Sequence, residues 1–251
     1  MLCPDTQGIC TAEKLMAIKH HPNIVEYTDW CPIPRLFIRA YLDGRPIQRS
    51  DFPFPRHVLL LAHDMLHALR HLHKYQVVHA NIKPANIFLL PLPSSPSPSN
   101  PKQQPQPIFK LTDFALTAED DSILPRLRSG GNCYLAPEVL RNGNKMNYPS
   151  KTVEQLYPPK TDVWALGIVV LEMFLRRSPG EWKHPSEDYV KAVEMKRRQA
   201  RNSGMGGVLR TVVDGMLEPV QRVRSTAGRL VEILPARKDI SVGVDVLCGR
   251  D

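Results

Sequence analysis

Apolar residues fall into several spacings along this chain, and each spacing predicts a different element. Val58, Leu61, Ala62, Met65, Leu66, Leu69 and Leu72 recur three and four apart, the period of one helix face. They predict a long amphipathic helix. Val77-Val78 and Ile87-Phe88-Leu89-Leu90 bracket a polar stretch with Pro84 in it, which reads as strand, loop, strand. Arg35 to Gly44 reads as a strand closed by a turn. Near the start, Leu15, Met16 and Ile18 on a polar background predict a short helix, ended at His21-Pro22 because the residue before proline leaves the α region. Thr161 to Leu175 is apolar nearly all round and predicts a buried helix. Val208 to Leu217 and Thr226 to Leu234 predict the last two. Residues 181–206 run from amphipathic to polar and take no assignment.

Between these elements lie polar segments. Pro91 to Pro107 is rich in Pro, Ser and Gln and predicts a loop without packed structure, either a passive insertion or a proline-rich ligand. Arg141 to Lys160 is a second polar, turn-rich insertion, and no internal repeat is visible.

Composition narrows the class. At 251 residues the chain can bury a sizeable core, as one large domain or two lobes. The longest apolar stretch, Ala165 to Leu175, is too short to span a bilayer and contains Glu172. The start, Met1-Leu2-Cys3-Pro4-Asp5, has neither the basic nor the apolar region of a signal peptide. Cys3, Cys10, Cys31, Cys133 and Cys248 are odd in number and unclustered, so reduced thiols in the cytoplasm or nucleus are expected. The net charge is +8, but the basic residues are dispersed except at Lys196-Arg197-Arg198, which reads as a solvated helix face. Neither a nucleic acid nor a membrane is expected as partner. His57, His63, His67, His71 and His73 on the long helix read as surface or packing residues.

The polar stretch after Val78 is His79-Ala80-Asn81-Ile82-Lys83-Pro84-Ala85-Asn86. A turn needs none of these side chains. Phosphoryl transfer needs a group to orient the nucleophile, a cation near the moving charge and an oxygen donor for Mg²⁺. Downstream come Asp113-Phe114-Ala115, Ala136-Pro137-Glu138, Asp162-Val163-Trp164-Ala165-Leu166-Gly167, and Met216-Leu217-Glu218-Pro219 with Arg222. In this order they resemble the H-R-D-L-x-x-x-N, D-F-G, A-P-E and later motifs of eukaryotic Ser/Thr protein kinases.

The resemblance implies an α+β protein-kinase-like fold with a mostly helical C-lobe and a reduced antiparallel β N-lobe. It places a remnant N-lobe at residues 1–42 and the C-lobe at 43–251, with an insertion at 91–107. It makes Asn86 and Asp113 the Mg²⁺ ligands and Lys83 the lysine at the transferred phosphoryl group. Asn81 stands where the family has its catalytic Asp, and Ala80 where it has an Arg. Phe88, Ala40 and Leu42 become the adenine-side residues of an ATP site. Arg39 falls at the gatekeeper position, either crowding that pocket or turned outward by strand register. His79, Phe114, Met16 and Tyr27 match a packed stack that crosses the lobes. Arg222 is placed opposite Glu138.

Ala12, or Glu13 one residue off, takes the place of the family's ion-pairing Glu, with the Leu15-Met16 pair facing the core. No Gly-rich loop and no strand lysine precede it in these residues. The resemblance therefore implies a catalytically impaired domain, a scaffold or allosteric partner of signalling proteins, with ATP and Mg²⁺ bound weakly or not at all. The alternative is an ATP-dependent Ser/Thr kinase whose N-terminal strands are missing from this chain.

Overall fold

The computed structural model describes residues 16–18, 20–31, 36–91, 106–113, 133–143, 158–179 and 189–241. The strands are β1 (Tyr27–Cys31), β2 (Leu36–Arg39), β3 (Arg45–Pro46), β4 (Ile87–Leu89) and β5 (Phe109–Leu111). The helices are α1 (Pro55–Lys74), α2 (Pro137–Gly143), α3 (Lys160–Leu175), α4 (Tyr189–Asn202), α5 (Gly207–Met216), α6 (Ala227–Glu232) and α7 (Arg237–Ser241).

α1 starts where the pattern puts it. Phe54 is extended, and Pro55 occupies the first turn, where its missing N–H costs nothing. All seven residues of the predicted apolar face are buried, together with Leu59, Leu60 and Ala68. The helix ends in a Schellman arrangement. Gln76 is left-handed at φ 58, its N–H donates to His73 O (3.1 Å), and the Val77 N–H donates to Leu72 O (3.1 Å). Val77 and Leu72 are both buried. This corrects the strand expected at Val77-Val78. The apolar pair closes the helix end and enters no strand.

α3 is the core post, buried from Thr161 to Met173 except at Ala165. It packs against α1, α4 and α5, while α1 also carries α6 and α7. α4 lies in the unassigned stretch and buries Tyr189, Ala192, Val193 and Ala200. α2 runs to Gly143, into the insertion expected from Arg141.

Among the described residues there are two small antiparallel sheets. β1 pairs with β2, and β3, β4 and β5 pair in that order. Gly44 lies against β4 so closely that a Cβ there would meet the Leu89 carbonyl oxygen at 2.8 Å. Residues 23–25 attach to the edge of β5. Leu111 N–H donates to Asn23 O and Val25 N–H to Leu111 O, both at 2.9 Å. Asn23 Nδ2 also reaches Phe109 O at 3.0 Å. The first segment is thereby fixed to the sheet that carries the polar loop. Ala12, Glu13, Leu15, Phe114, residues 92–105 and residues 117–131 lie outside the described residues.

Candidate functional site

The site is built on one buried carboxylate. Asp162, in the first turn of α3, accepts from the backbone N–H groups of His79 and Ala80, each at 2.9 Å. It also meets His73 Nε2 at 3.0 Å. These bonds hold Ala80 in the left-handed region, φ 57, a conformation a non-glycine residue keeps only when its surroundings impose it. His79 is fully buried, and burial pushes its pKa below the usual value although the Asp162 charge opposes the shift. The ring is therefore neutral. Its Nδ1 accepts the Asn81 N–H (3.2 Å), so Nε2 carries the proton and donates to Thr112 O (2.9 Å). One imidazole thus ties the polar loop to the residue before Asp113.

Asn81, Asn86 and Asp113 are brought together. Asn81 Nδ2 donates to Asp113 O (3.4 Å), and Asn86 Nδ2 donates to Asn81 O (2.8 Å). Thr112, which sequence reading did not single out, is the coupling residue. Its N–H donates to Asn86 O (2.9 Å), and its hydroxyl lies 3.3 Å from both Asn86 O and Asp113 Oδ2. Asp113 is left-handed at φ 55 and its side chain is exposed. Lys83 precedes the short 3₁₀ turn Pro84–Asn86, and its carbonyl accepts the Asn86 N–H (3.0 Å).

The donor set suits Mg²⁺. The bond to Asn81 commits the amide NH₂ of Asn86 and leaves Oδ1 for a cation. Asp113 adds an exposed carboxylate one residue beyond the threonine bonded to Asn86. Both are hard oxygen donors. The adenine side differs. Arg39 is exposed, yet its guanidinium carbon lies 5.7 Å from the centroid of the Phe88 ring. It takes a face of the ring where the resemblance places the base. A purine there has to displace a cation–π contact of about 0.5–1 kcal/mol. Ala40 follows β2, its N–H bonded to Glu26 O at 2.9 Å, and Leu42 is half-buried in the loop before β3.

Beneath the site the scaffold is densely bonded. Arg224 has no exposed side-chain surface and forms a bidentate pair with Glu138 at 2.7 and 3.0 Å. It lies over the Trp164 ring at 4.8 Å and also donates to Lys160 O and Glu218 O. This corrects the placement of Arg222, which is exposed and meets Lys160 only through its own carbonyl. A turn closed by the Val223 and Arg224 N–H groups on Val220 O carries the second arginine inward.

Trp164 Nε1 donates to Tyr189 OH (3.1 Å), which donates to Cys133 O (2.9 Å). Tyr134 OH donates to buried Glu172 (2.8 Å). Burial first, and then that carboxylate, push the phenol above its usual pKa, so it stays a donor. In the expected stack, His79 is buried and Tyr27 packs on the core, while Met16 is 38% exposed and lines a pocket beside Tyr27.

The protein kinase domain family matches residues 6–233, and the chain belongs to that family. Serine/threonine-protein kinase PAK mbt of Drosophila melanogaster is 27% identical over 228 residues, covering 86% of this chain and 31% of that protein. The membrane-associated tyrosine- and threonine-specific cdc2-inhibitory kinase wee-1.3 of Caenorhabditis briggsae is 31% identical over 168 residues, 64% of this chain and 22% of that protein. The chain therefore spans about a third or less of these relatives. The crystal structure of Rad53 1-466 in complex with AMP-PNP matches with a TM-score of 0.60 at 19% identity, covering 90% of this chain and 53% of that one. The fold is the α+β protein-kinase-like fold, and such a fold implies ATP and Mg²⁺ binding in general. Among the described residues, no helix is long and apolar enough to cross a membrane.

Proposed function

We propose that this domain transfers little or no phosphate and serves as a scaffold or allosteric partner of signalling proteins, in the cytoplasm or nucleus. The observation that carries this reading is Asn81. It stands at the position of the family's base, and its side chain is an amide whose NH₂ donates a hydrogen bond to Asp113 O and whose oxygen takes up no proton near neutral pH. An amide lacks the basicity of a carboxylate, and general-base help is worth about 10²–10⁴-fold. The surrounding packing supports the binding role. Asp162, His79, Arg224 and Glu138 hold a firm framework around a site without its base.

A second reading, an ATP-dependent Ser/Thr kinase, is favoured by Asn86 and Asp113, which retain a donor set for Mg²⁺. Radiolabel transfer from Mg-ATP to generic Ser/Thr substrates separates the two. No transfer above an Asp113→Ala control is expected, and Asn81→Asp alone restores none. Transfer by the unmodified chain above that control would overturn the first reading. Calorimetry with ATP, with and without Mg²⁺, then reports whether the Asn86–Asp113 pair holds a metal–nucleotide complex.

A further inference from the structure

The basic run on α4, read from sequence as a solvated face, is one edge of a larger arrangement. Four arginines from α4 and α5 share two carboxylates. Glu194 meets Arg197 at 2.8 Å, Arg198 at 3.5 Å and Arg201 at 3.7 Å. Asp214 meets Arg197 at 2.8 Å, Arg201 at 2.7 Å and Arg210 at 3.8 Å. The group therefore carries two positive charges beyond what its acids neutralise, within a chain of net +8.

The four are not equivalent. Arg197 is nearly buried, its side chain 12% exposed, and it also reaches Leu217 O, so it staples the two helices. Arg198 and Arg210 have side chains 73% and 53% exposed and, among the described residues, meet their acids only at 3.5 and 3.8 Å. Arg201 bridges the two carboxylates, yet its Nε is buried without a hydrogen-bond partner among the described residues. Beside Arg198 on the outward side of α4, Met195 is 62% exposed. Arginine and methionine are both enriched at protein interfaces.

We propose that this α4–α5 face docks an Asp/Glu-rich peptide segment of a protein partner. The partner's carboxylates would engage Arg198 and Arg210, and an apolar residue would cover Met195. A planar guanidinium fork matches a carboxylate bidentately. Glu194 and Asp214 already demonstrate that match on the same arginines. Those two interleaved acids disfavour a continuous phosphate backbone, and among the described residues the face presents no aromatic platform for bases. The inference does not depend on whether the Asn81 site transfers phosphate.

The test is fluorescence anisotropy on the full chain with a labelled peptide of about twelve alternating Glu and Leu residues, at near-physiological salt to screen diffuse attraction. The comparison probes are the Gln version, a phosphoserine version and a thymidine oligonucleotide of equal length. The Glu peptide is expected to bind best of the four. Arg198→Glu with Arg210→Glu should weaken it about tenfold or more, the range of interface hot spots. Lys74→Glu with Arg229→Glu, the same charge change on other exposed sites, should alter it less than about twofold. Met195→Ala removes no charge and should weaken it severalfold. Among the described residues the two arginines make long contacts only, so unchanged melting is expected, and milder Arg198→Gln gives the same direction should the reversal disturb the fold. No binding of the Glu peptide, equal losses in the two double variants, or tighter binding of the phosphoserine peptide or the oligonucleotide would each overturn the proposal.

Discussion

Arg224 and Arg222 lie two positions apart and behave as different kinds of residue. Arg224 is enclosed by Glu138, Trp164 and two carbonyls, whereas the Arg222 side chain is exposed. Removing one member of a buried pair leaves the other charge uncompensated, at a cost of about 3–5 kcal/mol. Arg224→Met is therefore expected to lose about that much in urea unfolding, and Arg222→Met to stay within about 0.5 kcal/mol. Comparable losses in both variants would contradict the assignment. Spacing could bring an arginine to this neighbourhood, but the turn on Val220 O decides which one points inward, and that is a backbone fact. The same divide runs through the candidate site. Asn81, Asn86 and Asp113 were legible because their chemistry is unusual for a turn. Thr112 was not, because a threonine between a strand and a loop carries no distinguishing signal. The left-handed backbone at Ala80 and Asp113 was equally hidden, since neither residue is a glycine.

At the scale of elements, periodicity located α1 and a continuous apolar run located α3, because both bury long apolar surfaces. It failed at Val77-Val78, where two β-branched residues serve a helix end. That end gives a prediction of its own. Gln76 holds φ 58 at the position where glycine is preferred, so Gln76→Gly is expected to stabilise the domain by about 0.5–1 kcal/mol, read as a raised urea midpoint. A lowered midpoint would mean that the Gln76 side chain contributes more than the strain costs.

Gly167 argues in the other direction. In mid-helix, alanine should gain about 0.8–1 kcal/mol of helix propensity. A Cβ at Gly167, however, would sit 2.8 Å from Met216 Cβ and from Leu217 Cδ2, and the first of these cannot move without the backbone of α5. Overpacking costs about 1–3 kcal/mol. Gly167→Ala should therefore be destabilising by up to about 2 kcal/mol, the overpacking outweighing the propensity gain. α4 stayed unassigned in sequence because its buried face is short, only Tyr189, Ala192, Val193 and Ala200, and is outnumbered by charges.

For the whole molecule, the order of motifs made the helical half legible. What it could not reveal is how the first described segment is held to that half. Besides the bonds to β5, histidines do this. The rings of His21 and of His71 on α1 have centroids 4.9 Å apart, and along α1 itself His63 and His67 lie 4.5 Å apart. Several cations and imidazoles crowd the same place. His21 is pushed down to about 4 by burial first, then by His71, His67, His20 and Lys110. His67 is pushed down to about 4 by burial, His63 and Arg70, against an opposing pull from Asp64.

The unfolded chain binds these protons near pH 6.5, and the folded chain resists them until about pH 4. Unfolding therefore takes up protons between those values, and stability must fall as pH falls through that window, with the full contribution present above it. Each such histidine can contribute up to about 1.4 kcal/mol per pH unit. His21 and His67 are only half-buried, so solvent screening removes much of that, and these two together are expected to lose about 1–3 kcal/mol between pH 7 and 4.5, with buried His79 acting in the same direction. Asp51 and Asp214 are held below the carboxylate range by their arginine partners despite burial, so their loss falls below this window. Urea midpoints measured at steps from pH 7 to 4.5 should decline, and His21→Gln should flatten the decline. Hydrogen exchange should open residues 20–25 before α3, because the like charges accumulate where that segment meets α1. A midpoint independent of pH across this range would show that the imidazoles are already solvated and that the bonds to Leu111 alone fix the segment.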